Sequence, residues 1–168
     1  MKGFYYETKL GKIFLAEDGH GITEVTLVKD PNSPEDKNSS KRKSISNYEL
    51  EETPLIRQTM TELTEYFYGR RTEFSISLNP EGTEFQKKVW EALRAIPYGE
   101  TRSYQEIAEA VGNKKASRAV GMANHHNPIM CIIPCHRVIG AKGTLVGYAG
   151  GLDKKAALLT LEQNKRLS

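Results

Sequence analysis

A run of four turn-favouring residues, Asn79-Pro80-Glu81-Gly82, separates two parts of the chain that differ in their apolar pattern. Before this turn, apolar side chains alternate as they do in β-strands, over residues 3–7, 10–17, 22–28 and 74–78. After it, apolar side chains recur at the spacing of α-helices. The sequence therefore predicts an α/β domain over residues 1–79 and a mostly α-helical domain over residues 80–168.

One helix is predicted inside the first part. Thr53 is a favourable N-cap, Pro54 suits the first helical position, and Gly69 is typical of a residue that ends a helix. The apolar residues between them fall at helical spacing, at Ile56, Met60, Leu63 and Phe67. Residues 30–47 are polar and contain two prolines, which predicts a mobile loop.

The second part contains two predicted capping boxes, in which a hydroxyl residue is followed three positions later by Glu or Gln. Thr83 with Gln86 opens one helix, and Ser103 with Glu106 opens a shorter one. A further helix is predicted over residues 116–124, after a break at residues 112–113. Two short helices around a tight turn are typical of a helix-turn-helix, although such pairs also occur in proteins that do not bind DNA.

Charge is distributed unevenly along the chain. Residues 79–168 carry 13 Lys and Arg against 8 Asp and Glu, a net charge of +5. No Asp or Glu occurs between Ala110 and Leu152, whereas this stretch holds five Lys and Arg and three histidines. Such a stretch suits a polyanionic partner, because no carboxylate opposes its contacts with phosphate, but a solvated basic surface has the same composition.

The cysteine count and the hydropathy favour an intracellular protein. Only Cys131 and Cys135 are present, too few for a disulfide framework. The N-terminal residues lack the apolar core of a secretory signal, and no apolar run is long enough to cross a bilayer. We therefore expect a cytoplasmic protein, or a nuclear one in a eukaryote, without membrane association.

The run Pro134-Cys135-His136-Arg137-Val138 carries most of the chemical information in the sequence. A reactive cysteine needs a cation, an imidazole or a helix N-terminus to favour its thiolate, and two such neighbours follow Cys135 directly. A buried, inert cysteine beside a surface His and Arg would give the same run. Zinc binding through Cys131, Cys135 and nearby histidines is a further alternative, but structural zinc sites usually have a second pair of ligands that the sequence lacks.

The motif around Cys135 resembles the active-site signature of the O6-alkylguanine-DNA alkyltransferases, also called methylated-DNA–protein-cysteine methyltransferases. Further family motifs are matched in order and at compatible spacing across residues 80–165: Phe85-Gln86 with Val89-Trp90, residues 97–101, Ser103-Tyr104, residues 116–121, Asn127-Pro128 and Tyr148-x-Gly150-Gly151. Over residues 1–78 the resemblance is limited to length and element order. It implies a small ribonuclease-H-like N-terminal domain and a winged-helix-like C-terminal domain.

The resemblance also implies the roles of the reacting groups. Cys135 would attack the alkyl carbon on guanine O6 and accept the alkyl group. His136 would take the thiol proton through a water molecule, and Glu162 would orient His136. Tyr104 would donate a hydrogen bond to the guanine leaving group, and Asn127 would support the turn that carries the cysteine.

DNA and substrate contacts follow from the same resemblance and from the charge pattern. Arg118 would fill the gap left when the damaged base is flipped out of the duplex, with the helix in the minor groove. The other residues expected at the DNA are Ser103, Lys114, Lys115, Ala116, Ser117, Gly121 and Ala123. The residues expected around the flipped base are Val138, Tyr148, Ala149 and Gly150.

The expected activity is single-turnover transfer of an alkyl group from O6-alkylguanine, and from O4-alkylthymine as a further substrate, by a monomer without metal or cofactor. The product on sulfur is a thioether, which water does not cleave, so each molecule would react once. A non-catalytic alkyltransferase-like protein that only binds the lesion is the alternative. Such relatives carry another residue at the position of the nucleophile, whereas Cys135 is present here.

Overall fold

A computed structural model of the chain describes residues 1–28, 48–141, 143 and 151–167. Its first part contains β1 (Lys2–Thr8), β2 (Gly11–Glu17), β3 (Ile22–Leu27), β4 (Glu49–Leu50) and α1 (Pro54–Phe67). Its second part contains α2 (Glu84–Arg94), β5 (Arg102–Ser103), α3 (Tyr104–Ala110), α4 (Ser117–His125), β6 (Val138–Ile139) and α5 (Leu152–Leu167). A one-turn 3₁₀ helix, Cys135–Arg137, precedes β6. The loop predicted over residues 30–47 lies outside the described residues.

The sheet of the first part has the strand order β3-β2-β1-β4. The strands β1, β2 and β3 are antiparallel neighbours, as their alternating pattern predicted, and β1 pairs with β2 along its whole length from Lys2↔Glu17 to Thr8↔Gly11. The two-residue strand β4 was not predicted and pairs in parallel with β1. Because both residues of β4 are exposed, it has no buried face that could have produced an apolar pattern.

The prediction of a strand over residues 74–78 is wrong. This segment forms only an isolated bridge between Leu78 and Ile22 at the edge of β3. The backbone N–H and the hydroxyl of Ser75 donate instead to the buried carboxylate of Glu62, each over 2.8 Å. An N–H that is satisfied by a side chain does not contribute to a strand ladder, so the alternating pattern here does not lead to strand pairing.

Helix α1 begins and ends as predicted. The Oγ1 atom of Thr53 accepts a hydrogen bond from the N–H of Ile56 at 3.1 Å, and Gly69 adopts a φ of 72° just after the helix. The buried face differs in detail from the predicted one, since Tyr66 is completely buried and Met60 only partly. The hydroxyl of Tyr66 contacts Glu162 in the second part of the chain.

Both predicted capping boxes are confirmed at the starts of α2 and α3. In the first, Gln86 donates its N–H to Thr83 at 3.1 Å, and its side chain accepts the N–H of Thr83 at 2.9 Å. Helices α3 and α4 are joined by a short turn in which Gly112 has a φ of 85°. Trp90 of α2 donates its indole N–H to the carbonyl of Ala123 in α4 at 2.9 Å, which packs these helices together.

The residues from 127 to 138, called here the cysteine segment, are anchored on the sheet of the first part. The N–H of Val25 in β3 donates to the carbonyl of Pro128 at 2.9 Å, and the N–H of Met130 returns a bond to the carbonyl of Val25 at 3.1 Å. One continuous apolar core connects the sheet, the helices and this segment. Among the helices of the described residues, none has the length and apolar character needed to cross a membrane.

Candidate active site

Cys135 begins the single 3₁₀ turn of the cysteine segment and is 5% exposed. Its N–H donates to the carbonyl of Ile133 at 2.8 Å, and the N–H of Arg137 donates to the carbonyl of Pro134 at 3.0 Å. Two successive tight turns therefore fix the backbone on both sides of the thiol. A group that reacts with this thiol has to enter a narrow site, because the cysteine is not on the open surface.

The side chain of Asn127 lies across the base of the cysteine segment. Its Nδ2 donates to the carbonyls of Ile133 at 2.8 Å and Ile129 at 3.2 Å, and its Oδ1 accepts the N–H of Ile129 at 3.0 Å. These three bonds connect the two ends of the loop that leads to Cys135. Asn124 of α4 adds a longer contact of 3.4 Å from its Nδ2 to the carbonyl of Cys135.

His136, Arg137 and Glu162 form a buried charged cluster behind the thiol. The Nε2 atom of His136 lies 2.6 Å from Oε2 of Glu162. Arg137 donates through Nε to Oε1 of Glu162 at 2.8 Å and through Nη1 to the carbonyl of Ile96 at 2.7 Å. Glu162, on α5, is thus brought to two consecutive residues that lie 25 and 26 positions earlier in the chain.

Opposing effects set the ionisation of this cluster. Burial alone would raise the pKa of Glu162, but the hydrogen bonds and charges of His136 and Arg137 outweigh it and lower the pKa to about 2. Burial lowers the pKa of His136 despite the attraction of Glu162. A neutral His136 with its proton on Nε2 donates to Glu162, which leaves Nδ1 as an acceptor.

The Nδ1 atom of His136 is buried and has no hydrogen-bond partner within the described part of the chain. It belongs to the residue directly after Cys135, and a buried acceptor without a partner is costly unless another group or a water molecule binds it. The residue next to the thiol therefore presents a buried nitrogen that can accept a further hydrogen bond.

Lys155 of α5 was not predicted from the sequence as a site residue. Its side chain is completely buried, and Nζ donates to the carbonyl of Val138 at 2.5 Å. Burial raises the pKa of the Cys135 thiol, whereas the hydrogen bond from Asn127 and the charge of Lys155 act in the opposite direction. A lysine in a helix next to another lysine gives no sequence signal of burial, so only the fold identifies it.

Tyr66 of α1 is a second site residue that the sequence did not reveal. Its hydroxyl donates to Oε2 of Glu162 and lies 3.4 Å from Nε2 of His136. A weak signal was available, because Tyr66 follows Leu63 by three positions and so falls on the predicted apolar face of the helix. The first domain thus contributes a polar group directly to the cluster behind the thiol.

Tyr104 stands at the first position of α3, close to the thiol. The pairing of β5 with β6 places Ser103 opposite Ile139, and so brings the start of α3 next to Val138. The ring of Tyr104 also approaches α4, where a Cβ atom added to Gly121 would lie 3.8 Å from it. Burial, followed by the charge of Cys135, raises the pKa of Tyr104, so the hydroxyl stays protonated and can donate a hydrogen bond.

The residues expected at the DNA divide into three groups by their exposure. Lys114, Lys115 and Arg118 are exposed, and Ser103, Ser117 and Gly121 are partly buried. The side chains of Ala116 and Ala123 pack in the core, with 8% and 2% exposure. Tyr148, Ala149 and Gly150, expected around the flipped base, lie outside the described residues.

Cys131 is separated from Cys135 by the tight turn and adopts a φ of 68°. It is buried, and burial raises its pKa well above the ordinary value. Within residues 1–28, 48–141, 143 and 151–167, no three or more His, Cys, Asp or Glu side chains are grouped so that they could hold a metal ion.

Comparison with known proteins places this fold and site in a family. Residues 1–80 match the ribonuclease-like domain of 6-O-methylguanine DNA methyltransferase, and residues 84–164 match its DNA-binding domain. The methylated-DNA–protein-cysteine methyltransferase of Methanosarcina acetivorans is 49% identical over 94% of this chain and 95% of its own length. That of Mycobacterium leprae is 46% identical over 96% of this chain and 92% of its own length.

A solved structure agrees with these sequence matches. The crystal structure of Mycobacterium tuberculosis OGT in complex with DNA superposes with a TM-score of 0.85 and 41% identity. The match covers 98% of this chain and 94% of that chain. The fold is therefore that of a two-domain protein with a ribonuclease-like N-terminal domain and a helical DNA-binding domain. The chain belongs to the O6-methylguanine DNA methyltransferase family.

Proposed function

We propose that this protein repairs alkylated DNA by moving the alkyl group of O6-alkylguanine onto the thiol of Cys135. The observation that carries the proposal lies in the residue after the buried Cys135: Nε2 of His136 contacts Glu162 at 2.6 Å, and its Nδ1 has no hydrogen-bond partner among the described residues. The curated relatives are named methylated-DNA–protein-cysteine methyltransferases, and direct reversal of alkyl damage in DNA is the function of this chain as well.

The reaction is a single displacement. The bond between Cys135 Sγ and the alkyl carbon forms while the bond from that carbon to guanine O6 breaks, and the electron pair of the broken bond stays on the guanine. The thiol proton passes through a water molecule to Nδ1 of His136, whose developing charge Glu162 stabilises. The hydroxyl of Tyr104 donates to the guanine anion, which then takes up a proton to become the normal base.

Backbone groups of the cysteine segment are suited to recognise the guanine amino group. The carbonyl of Val138 accepts one bond from Lys155 at 2.5 Å, and that of Cys135 accepts a 3.4 Å contact from Asn124. A carbonyl oxygen has two lone pairs, so each can accept a further donor from the base. Tyr148, Ala149 and Gly150 are proposed to close over the flipped base, as the family resemblance implies.

Helix α4 is proposed to bind the minor groove of double-stranded DNA. Its exposed Arg118 follows the exposed Lys114 and Lys115, and no carboxylate occurs between residues 110 and 152. Guanine O6 lies inside the base stack, so the damaged nucleotide has to be extruded before the thiol can reach it. The long side chain of Arg118 suits the space that the extruded base leaves, because its guanidinium can stack on neighbouring bases.

The finer structural assignments belong to the same proposal. We take the N-terminal domain to be ribonuclease-H-like, with its sheet and α1 supporting the cysteine segment, and the C-terminal domain to be winged-helix-like around α3 and α4. The protein is proposed to act as a monomer with the boundary between its domains at residues 79–80. The boundary lies at the turn-forming run that precedes the N-cap Thr83.

The identity of the acceptor is tested with two cysteine variants. Wild type, Cys135→Ser and Cys131→Ser are each incubated with a duplex that contains one O6-methylguanine, and the protein and its peptides are weighed by mass spectrometry. We expect one added methyl group in wild type and in Cys131→Ser, and none in Cys135→Ser. Methylation that persists in Cys135→Ser, or DNA binding by wild type without any mass gain, would contradict the proposal.

A further inference from the structure

Tyr66 connects the first domain to the charged cluster of the second. It is the largest fully buried side chain near this cluster, with 0% exposure. Its ring packs against Phe74 at 5.4 Å and Tyr98 at 6.2 Å between centroids, so the hydroxyl cannot turn toward solvent without displacing its neighbours. The hydroxyl lies at Oε2 of Glu162, the same oxygen that faces Nε2 of His136.

Three donors therefore converge on one carboxylate oxygen: the hydroxyl of Tyr66, Nε2 of His136 at 2.6 Å and Nη2 of Arg137 at 3.1 Å. Burial raises the pKa of Tyr66 well above its ordinary value, and the nearby Glu162 acts in the same direction, so the tyrosine remains a donor at every working pH. A hydrogen bond to a carboxylate oxygen takes up part of its negative charge. Tyr66 thus reduces the negative charge that Oε2 presents to His136, in addition to Arg137, which contacts Oε2 at 3.1 Å and Oε1 at 2.8 Å.

We infer that Tyr66 is a positioning residue for the methyl transfer, which holds Glu162 in place and keeps His136 a neutral base. The inference rests on the proposed function, in which His136 accepts the proton of Cys135. It gives the N-terminal domain a direct part in the reaction, because correct packing of α1 places the hydroxyl on the carboxylate. A domain that packs wrongly would leave His136 more strongly paired with Glu162 and more easily protonated.

Other charged groups around His136 also influence its protonation. On α5, Glu162 favours the imidazolium and Lys155 opposes it, and in the cysteine segment Arg137 also opposes it. The remaining titratable groups of the cluster are the thiols of Cys131 and Cys135 and the hydroxyl of Tyr98. Tyr66 differs from all of these because its hydroxyl is a neutral donor that contacts Glu162 and His136 at the same time.

The test compares Tyr66→Phe with Tyr98→Phe. Each variant loses one buried hydroxyl from the same cluster, but the hydroxyl of Tyr98 has no hydrogen-bond partner among the described residues. Two rates are followed from pH 5 to pH 9: methyl transfer from an O6-methylguanine duplex, and alkylation of Cys135 by iodoacetamide, measured by peptide mass. Thermal unfolding of both variants shows whether the fold is kept.

We expect Tyr66→Phe to slow methyl transfer at neutral pH by about threefold to tenfold, and to move the acidic limb of both pH profiles to higher pH. The shift follows because a more negative Glu162 raises the pKa of His136, so that the imidazole is protonated earlier as pH falls. Tyr98→Phe is expected to leave both profiles unchanged. A Tyr66→Phe profile that coincides with wild type, or one that falls equally at every pH, would overturn the inference.

A second variant removes the dependence on how well Tyr66→Phe folds. Site-specific 3-fluorotyrosine at position 66 keeps the hydroxyl and makes it a stronger donor, so the acidic limb should move to lower pH, opposite to Tyr66→Phe. The inference is contradicted if the acidic limb of the pH profile does not move in either variant, or if it moves in the same direction in both. Alkylation by iodoacetamide needs no DNA, so it is measured independently of methyl transfer. If the pH profile of alkylation shifts but no methyl group is transferred, the proposed function alone is refuted. If methyl groups are transferred but neither pH profile shifts, the role of Tyr66 alone is refuted.

Discussion

At the scale of single residues, the reactivity of Cys135 results from a balance between burial and a few placed groups. Burial raises the pKa of the thiol, which therefore stays protonated until a base removes its proton. The hydrogen bond from Asn127 and the charge of Lys155 offset part of this effect. A protonated thiol in a closed site reacts slowly with oxidants and alkylating agents, and in the proposed mechanism it becomes a nucleophile when His136 accepts its proton.

Replacing Lys155 tests this balance. Lys155→Met keeps the length of the side chain but removes the charge near Cys135 and the donor to Val138, so the pKa of the thiol should rise further. We expect alkylation of Cys135 by iodoacetamide at pH 7.5 to slow by about threefold or more, because a smaller fraction of the thiol is then ionised. Lys154→Met is the matched control, because Lys154 is the neighbouring lysine and pairs with the exposed Asp153 at 3.8 Å. Equal rates in the two variants would show that Lys155 has no influence on the thiol.

At the scale of elements, the proposed DNA-binding residues and the proposed nucleophile lie on different parts of the fold. Its inner face, with Val120 and Ala123, packs in the core, whereas Arg118 and Met122 are exposed on the outer face. The thiol is carried by another element, the cysteine segment, which is braced by Asn127 and by β3. Substitutions on the outer face of α4 should therefore change the reaction with duplex DNA without changing the intrinsic reactivity of the Cys135 thiol.

Arg118→Ala is expected to lower the rate of methyl transfer from duplex DNA by about tenfold or more, since nothing then fills the space of the extruded base. Alkylation of Cys135 by iodoacetamide should remain at the wild-type rate. Arg57→Ala, which removes an exposed arginine of α1 paired with Glu52, serves as the control and should leave both rates unchanged. Parallel loss of both rates in Arg118→Ala would mean that the arginine acts on the site itself rather than on DNA.

The secondary structure elements also show which features could be predicted from sequence. The helix starts at Thr53, Thr83 and Ser103 were predictable because capping depends on neighbouring residues. The segment 74–78 was mispredicted because its pairing depends on Glu62, which lies more than ten residues earlier in the chain. Motif resemblance indicated Cys135 and His136, but Tyr66 reaches His136 and Glu162 only through the packing of the two domains.

At the scale of the whole molecule, the buried cluster connects α5 to the rest of the fold. Glu162 is contacted by Tyr66 from the first domain, by His136 and Arg137 from the cysteine segment, and by the N–H of Gly99 at 3.4 Å from the loop after α2. One carboxylate thus joins four parts of the chain. Its protonation should loosen all of these contacts together, so stability and activity should share a dependence on pH.

The pKa of Glu162 predicts the direction of that dependence. It is lowered from 4.5 to about 2 in the folded protein, so the carboxylate stabilises the fold above pH 4.5 and loses this contribution as pH falls toward 2. The contribution is on the order of 3 kcal/mol at neutral pH. Urea unfolding should show Glu162→Gln to be less stable than wild type at pH 7, with a smaller difference at pH 3. A difference that stays constant between these pH values would contradict the assignment.

Whether Cys135 is consumed by its own reaction is tested most directly by counting methyl groups transferred per protein. A known amount of protein is incubated with a tenfold excess of duplex containing O6-methylguanine until the reaction stops, and both the repaired DNA and the methylated peptide are quantified. We predict one guanine repaired per protein and one methyl group on Cys135, because the thioether gives water no carbonyl to attack. Repair of several guanines per protein, or a methyl group on another residue, would contradict this account.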